Sequence, residues 1–300
     1  MNEIRKAIGI DIGGTSVKTG IVYTSGKIED SRSISTSELI IGKGIIPNLI
    51  DFISQSVISN DIKNIGIVVP GIISRDGRST VEIPNVPQLK NYPVLDNLEK
   101  NMPGISFRLD NDAKAAALGA YCFDKEINNS TFGFITIGTG IGCAALINGK
   151  IFRGGNGNGL ELGYLLTDGN EYIENLIGRD GLCRLSGLPE ELSAKDPEDL
   201  VSRAKDSDKA SLAAFEKAGH LLGIALFNFI VLLDITTIYI GGGIAPALDF
   251  MLPGVFSVFD RMLPDYYKER IEIRKTVLGN NAGIMGAASL CFAENSLGNE

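Results

Sequence analysis

Three short glycine turns directly follow apolar runs in this 300-residue chain: Gly13-Gly14-Thr15, Gly138-Thr139-Gly140 and Gly241-Gly242-Gly243. One such turn reads as a tight hairpin. Three together predict backbone N–H groups gathered around a polyphosphate, with the Thr15 and Thr139 hydroxyls as further donors. The spacing is neither G-x-G-x-x-G nor G-x-x-x-x-G-K-[ST], because no Lys-Ser/Thr pair follows the glycines. Asn111-Asp112 opens an alanine-rich run. Taken alone, Asp112 reads as a helix cap. Beside phosphate turns it reads as a base, a carboxylate that takes a proton from a hydroxyl as that oxygen bonds to phosphorus. A helix start suits this role, since the dipole favours the ionised form. Glu161 is either a surface glutamate or a ligand residue, and its place just after the glycine-dense stretch Gly154–Gly159 favours the second. The single histidine, His220, lies between Gly219 and Leu221 in a long helical run and reads as structural. One histidine excludes a two-His metal site, and no G-x-S-x-G elbow is present for a serine mechanism.

The elements that must carry these residues alternate between strand and helix. Lys6–Asp11 and Lys18–Tyr23 read as a hairpin around the first turn, and Asn64–Val69 as a buried strand closed by Pro70-Gly71. Apolar spacing at Ile45, Leu49, Phe52, Ile53 and Val57 predicts a helix. Ser106–Asp110 reads as a strand leading into a helix over Asp112–Cys122, capped by the pair Asn111-Asp112. The opening then recurs: Ile8–Val22 reads IGIDIGGTSVKTGIV and Gly133–Ile147 reads GFITIGTGIGCAALI. Two hairpins of one design, each heading half of the chain, predict two lobes of similar topology. A polar stretch over Pro197–Asp208, a long helix ending near Leu233, strands at Thr236–Ile240 and Ile271–Val277 and a final helix from Ala282 complete the chain. The class is α/β with mixed sheets.

Composition narrows the functions available. The formal net charge is −8 and no Lys/Arg-dense stretch occurs, so the electrostatic footprint of a nucleic-acid binder is missing. The most apolar segment, Leu221–Ile235, is broken by Gly223, Asn228 and Asp234 and is too short to span ~30 Å of hydrocarbon. No apolar signal region precedes the first strand, and Cys122, Cys143, Cys183 and Cys291 are scattered. They read as buried thiols of a cytoplasmic protein with no membrane partner.

Asp11-Ile-Gly-Gly-Thr15, Asn111-Asp112-Ala113, the Gly/Thr hairpin at 136–142, Glu161-Leu-Gly163 and the Gly241–Gly243 turn occur in that order. The set resembles the ROK family (repressor, open reading frame, kinase) of sugar kinases, glucokinase-like members of the actin-like ATPase superfamily, over nearly the whole chain. The resemblance implies a two-lobed, ribonuclease H-like fold with an interlobe cleft: a smaller lobe over 1–113, a larger one over 114–281, and 282–300 packing back on the first. It implies an ATP-dependent kinase for a hexose or hexose derivative, and a homodimer. Gly13, Gly14 and Thr15 match the first phosphate loop, Thr139 and Gly140 the second, and Gly241, Gly242 and Gly243 the turn beside adenosine. Asp11 matches the acid that holds the nucleotide's Mg2+. Asn111 and Asp112 match the sugar-binding pair, with Asp112 as base. Gly71, Glu161 and Glu174 match further substrate positions.

Two features depart from the family pattern. The histidine after E-x-G is Tyr164, and residues 167–171 hold no cysteine where the family has a zinc cluster. Losing both together is coherent, because one imidazole does not hold a structural zinc alone, so no zinc is expected. Tyr164 can still exchange a hydrogen bond with a sugar hydroxyl. Other readings are a family regulator, which needs a helix-turn-helix segment where only ten residues precede Asp11, and a non-catalytic sugar-binding protein. A kinase for an amino sugar or glucoside, or one using polyphosphate, is a further alternative.

Overall fold

The structure, a computed structural model, describes residues 6–167, 169–187 and 197–293. Residues 1–5 of the expected first lobe, Asp168 and 188–196 of the second, and the end of the expected final segment lie outside the described residues. The chain divides into two compact units, one of Met1–Asn128, Arg153–Gly159 and Asn281–Glu300, the other of Asn129–Phe152 and Leu160–Asn280.

The first unit is built on a mixed sheet of β1 (Lys6–Ile12), β2 (Ser16–Tyr23), β3 (Ile28–Ser35), β4 (Asn64–Val69) and β7 (Ser106–Asn111), in the order β3-β2-β1-β4-β7. β1 is antiparallel to β2 and parallel to β4. Its near-continuous apolar run reflects cover on both faces. Ile8, Ile10 and Ile12 join a core with Leu49 and Ile53 of α2 (Ile45–Ser59) and Leu95 and Leu98 of α3 (Val94–Asn101). On the other side Ala7 and Val22 meet Ile284 and Ala288 of α11 (Ala282–Ala293). That helix lies so close that a Cβ at Gly9 or Gly66 would fall on the carbonyls of Ile284 or Ala287. It also packs on α4 (Asp112–Phe123). The short α1 (Thr36–Ile40) and a two-stranded sheet of β5 (Ile72–Ile73) and β6 (Thr80–Glu82) complete the unit. β3 escapes a sequence reading because it is an edge strand with a polar sequence, IEDSRSIS, and no buried residue.

The second unit repeats this plan. β8 (Phe132–Ile137), β9 (Ile141–Ile147), β10 (Lys150–Ile151), β11 (Thr237–Gly241) and β12 (Glu272–Lys275) run in the order β10-β9-β8-β11-β12, with the same pattern of antiparallel and parallel pairs. The repeated glycine hairpin is therefore the start of a repeated sheet. Around it stand α5 (Ile173–Ile177), α6 (Arg179–Leu185), α7 (Pro197–Lys205), α8 (Lys209–Leu233), α9 (Leu248–Met262) and α10 (Asp265–Lys268). The polar stretch after Pro197 is thus a helix, anchored by a narrow buried stripe of Leu200, Val201 and Ala204. α8 follows Asp208 and ends at Leu233, as expected of the long helix, and its 25 residues, unlike the segment from Leu221 taken alone, are by length and composition apolar enough to cross a membrane. Here Phe215, Leu222, Leu226, Phe229 and Ile230 bury one face of it in the core with α9.

Candidate functional site

In the first unit, β1 delivers Asp11 to the mouth of the hairpin turn. Gly13 N–H closes that turn on the Ser16 carbonyl at 3.0 Å, and the Thr36 hydroxyl donates to the Gly13 carbonyl at 2.7 Å. The N–H groups of Gly14 and Thr15 have no protein acceptor among the described residues. Asn85, between β6 and α3, lies against Gly14. The Asp11 carboxylate abuts Gly283 in the first turn of α11, where a Cβ would collide with it. Burial pushes its pKa up, offset in part by the Lys18 charge.

β7 delivers the other candidates. Asn111 caps α4: its Oδ1 accepts from Ala113 N–H at 3.0 Å and Lys114 N–H at 3.1 Å. Its Nδ2 donates to the Gly71 carbonyl at 3.1 Å. Gly71 has φ 104°, a conformation for glycine, and a Cβ there would strike the Glu82 carbonyl. The expectation of a cap shared by both polar residues is corrected in one respect. Asp112 is the first helical residue, and its Oδ1 also accepts from the neighbouring Ala113 N–H, at 2.8 Å.

The second unit gathers the rest. The β8–β9 turn is closed by Gly138 N–H donating to the Gly140 carbonyl at 2.9 Å, and the N–H groups of Thr139 and Gly140 have no protein acceptor among the described residues. Glu174, in the first turn of α5, accepts Ile141 N–H through Oε2 at 2.8 Å. The same carboxylate fills the space beside Gly140 and Gly163, so the glycine turn, the Glu161-Leu-Gly163 segment and α5 meet at one residue. Glu161 is exposed ahead of the 3-10 turn Leu162–Tyr164. Tyr164 is half exposed, and its ring packs edge-on against Tyr172 with centroids 5.3 Å apart. Gly241 ends β11, and Gly242, with φ 88°, turns the chain so that Ile244 N–H reaches the Ile137 carbonyl at 3.0 Å. Gly243 follows in open space. A cavity of about 400 Å3 beside Thr139 is lined by Glu171, Glu174, Asn175, Asp180, Gly181 and Arg184.

Sequence reasoning passed over Asp110, Arg153 and Asn158. Asp110 is buried, and Arg153 binds it with both guanidinium nitrogens although 43 positions separate them. The one legible signal was an acid immediately before Asn111. Among the described residues no group of three or more His, Cys, Asp or Glu side chains lies close enough to hold a metal ion.

The sequence model of the ROK family matches residues 7–294. A glucokinase of Halalkalibacterium halodurans is 29% identical over 98% of this chain and 98% of its own length. A Cytophaga hutchinsonii structure, assigned provisionally as a sugar kinase, superposes with a TM-score of 0.88 at 33% identity, covering 96% of this chain and 100% of that one. A ROK family glucokinase from Streptomyces griseus, in complex with glucose and AMPPNP, has a TM-score of 0.81 at 24% identity over 95% of this chain and 99% of that one.

Proposed function

Since the chain belongs to the ROK family and has its actin-like α/β fold, we propose that it is an ATP-dependent sugar kinase acting on a hydroxyl of a hexose or hexose derivative. The observation that carries this reading is the division of labour at the head of α4. Asn111 satisfies the helix start, so Asp112 is not needed as its cap. Its carboxylate stands at a helix N-terminus, where the dipole favours negative charge, and a carboxylate so placed is the group to accept the hydroxyl proton.

In this mechanism the sugar hydroxyl loses its proton to Asp112 as its oxygen bonds to the terminal phosphorus of ATP. The bond from that phosphorus to the bridging oxygen breaks in line, and ADP leaves. Little covalent work falls to the protein, so positioning and charge stabilisation carry most of the barrier reduction. The unpaired N–H groups of Gly14, Thr15, Thr139 and Gly140, with the two threonine hydroxyls, are the donors for phosphate oxygens. Gly241, Gly242 and Gly243 lie beside the adenosine. Gly71, Asn111, Glu161, Tyr164 and Glu174 hold the sugar, Glu174 through the oxygen not bound to Ile141.

Asp11 fits a hard cation that arrives on the nucleotide. It is a single, partly buried carboxylate, and magnesium is commonly held by one or two carboxylates plus phosphate oxygens and water. When bound, magnesium supplies charge neutralisation on the phosphates. Three carboxylates against one guanidinium around the Thr139 cavity favour such a neutralised triphosphate over a long polyphosphate.

A coupled ADP-release assay over hexoses, amino sugars and β-glucosides tests the reading. At least one sugar is expected to drive ADP release, and the best one identifies the substrate. Asp112→Asn keeps the shape but removes the proton acceptor, so turnover falls by roughly 10²–10⁴-fold while sugar binding weakens far less. A mutant with half of wild-type turnover would place the base elsewhere.

A further inference from the structure

Three side chains outside the proposed catalytic set close a circuit around the acceptor turn, all within the first unit. The Asp110 carboxylate, 1% exposed, receives both prongs of the Arg153 guanidinium at 2.5 and 3.2 Å, and also the Asn111 N–H at 2.8 Å. Arg153 begins the segment 153–159. Toward its other end, Asn158 binds Ile73 twice, accepting from its N–H at 3.3 Å and donating to its carbonyl at 2.9 Å. Ile73 lies in β5, just past Gly71, whose carbonyl accepts from Asn111 Nδ2. The path runs Gly71, Asn111, Asp110, Arg153, Asn158, Ile73 and back along the chain to Gly71.

The segment between the two ties includes Gly154, Gly155 and Gly157 and contains no helix or strand. A stretch so rich in glycine loses much conformational freedom when ordered, and two side-chain anchors supply that order. Stability alone does not explain the choice of anchor, since Asp110 is buried while Arg153 is half exposed, and pairing offsets the cost of desolvating the carboxylate with little net gain. A bidentate arginine fork adds orientation, fixing both the distance and the plane of its carboxylate. That carboxylate in turn holds the main chain of Asn111, next to Asp112.

Resting on the sugar-kinase reading, we infer that Asp110, Arg153 and Asn158 are positioning residues for the acceptor. They clasp segment 153–159 to the Gly71–Asn111 turn and so set the orientation of the Asn111–Asp112 pair toward the sugar hydroxyl.

The test compares two variants with wild type: Asn158→Ala, and the charge-neutral double variant Asp110→Asn/Arg153→Gln. The double change avoids an uncompensated buried carboxylate, which would threaten folding. Steady-state kinetics are measured with Mg-ATP and the best sugar of the panel, D-glucose in the first instance. Hydrogen exchange at the Ile73 amide and a melting curve accompany them. In both variants kcat/KM for sugar is expected to fall by roughly 10²-fold, the scale set by misplacing a reacting group by about 1 Å. KM for ATP is expected to stay unchanged, and the Ile73 amide to lose protection in Asn158→Ala. Arg153→Lys, a charge without the fork, recovers only part of the wild-type sugar kinetics. Folded variants with wild-type sugar kinetics overturn the inference. So does a loss shared equally by sugar and ATP that tracks a lowered melting temperature. Asp112→Asn is run alongside. If it is inactive while the clasp variants are normal, only the clasp is wrong; if it is active, the base assignment itself fails.

Discussion

Asp11 carries a charge that the unliganded protein holds at a cost. Burial raises its pKa above the ordinary 3.8, so in that window the native state binds more protons than the unfolded chain. Stability then falls as pH rises from the unfolded pKa through the folded one, and the whole penalty is present at neutral pH. Asp11→Asn removes the charge. At neutral pH the ligand-free variant is therefore expected to melt at a higher temperature than wild type, and the difference to vanish in acid below about pH 3.9, where the carboxyl is protonated in both states. Turnover with Mg-ATP should be lost at the same time. A variant that melts no higher at neutral pH would show that the carboxylate is not strained there. Stability given up at one residue for ligand binding is a common feature of functional sites.

At the scale of elements, Glu174 joins pieces that are distant in sequence: the β8–β9 turn, the segment after Glu161, and α5. A residue that touched only sugar would alter sugar kinetics alone. Glu174→Ala leaves Ile141 N–H without its acceptor, a change that costs about 1–3 kcal/mol when the donor stays buried, and loosens the turn that carries Thr139. KM for ATP and for sugar are therefore both expected to rise. Glu174→Gln keeps an acceptor oxygen for Ile141, so KM for ATP should return toward wild type while the sugar term stays impaired. Steady-state titration of each substrate separates the two. If Glu174→Ala changes sugar KM only, the turn is held by other contacts.

Across the molecule, two sheets of one strand order are each headed by a glycine hairpin, and each hairpin has two turn amides with no protein acceptor among the described residues. No third structural centre is needed for this plan. Position 164 is tyrosine, residues 167–171 lack cysteine, and a phenol is a poor substitute for imidazole or thiolate at a zinc. Protein stripped with a strong chelator is expected to regain full turnover with magnesium alone and to keep its melting temperature. Elemental analysis giving about one zinc per chain after purification would contradict this.

Patterns local in the chain were legible before any coordinates. The two glycine hairpins, the strand ending in Pro70-Gly71, and Asn111-Asp112 at a helix start follow from turn chemistry, apolar periodicity and capping preference, all of which act over a few residues. Edge strand β3 and helix α7 were hidden because their contact with the core is slight, so their sequences remain polar. Which of Asn111 and Asp112 caps α4 also lay beyond the sequence, since both are good capping residues and the choice depends on the Gly71 carbonyl that orients Asn111. The Asp110–Arg153 pair was the least visible. Its members are adjacent only because β7 and the segment after β10 are folded together, and an ion pair between distant positions leaves no periodicity for a sequence to display. Types and turns were set by the sequence; partners were decided by the tertiary fold, because pairing energy depends on distance in space and not along the chain.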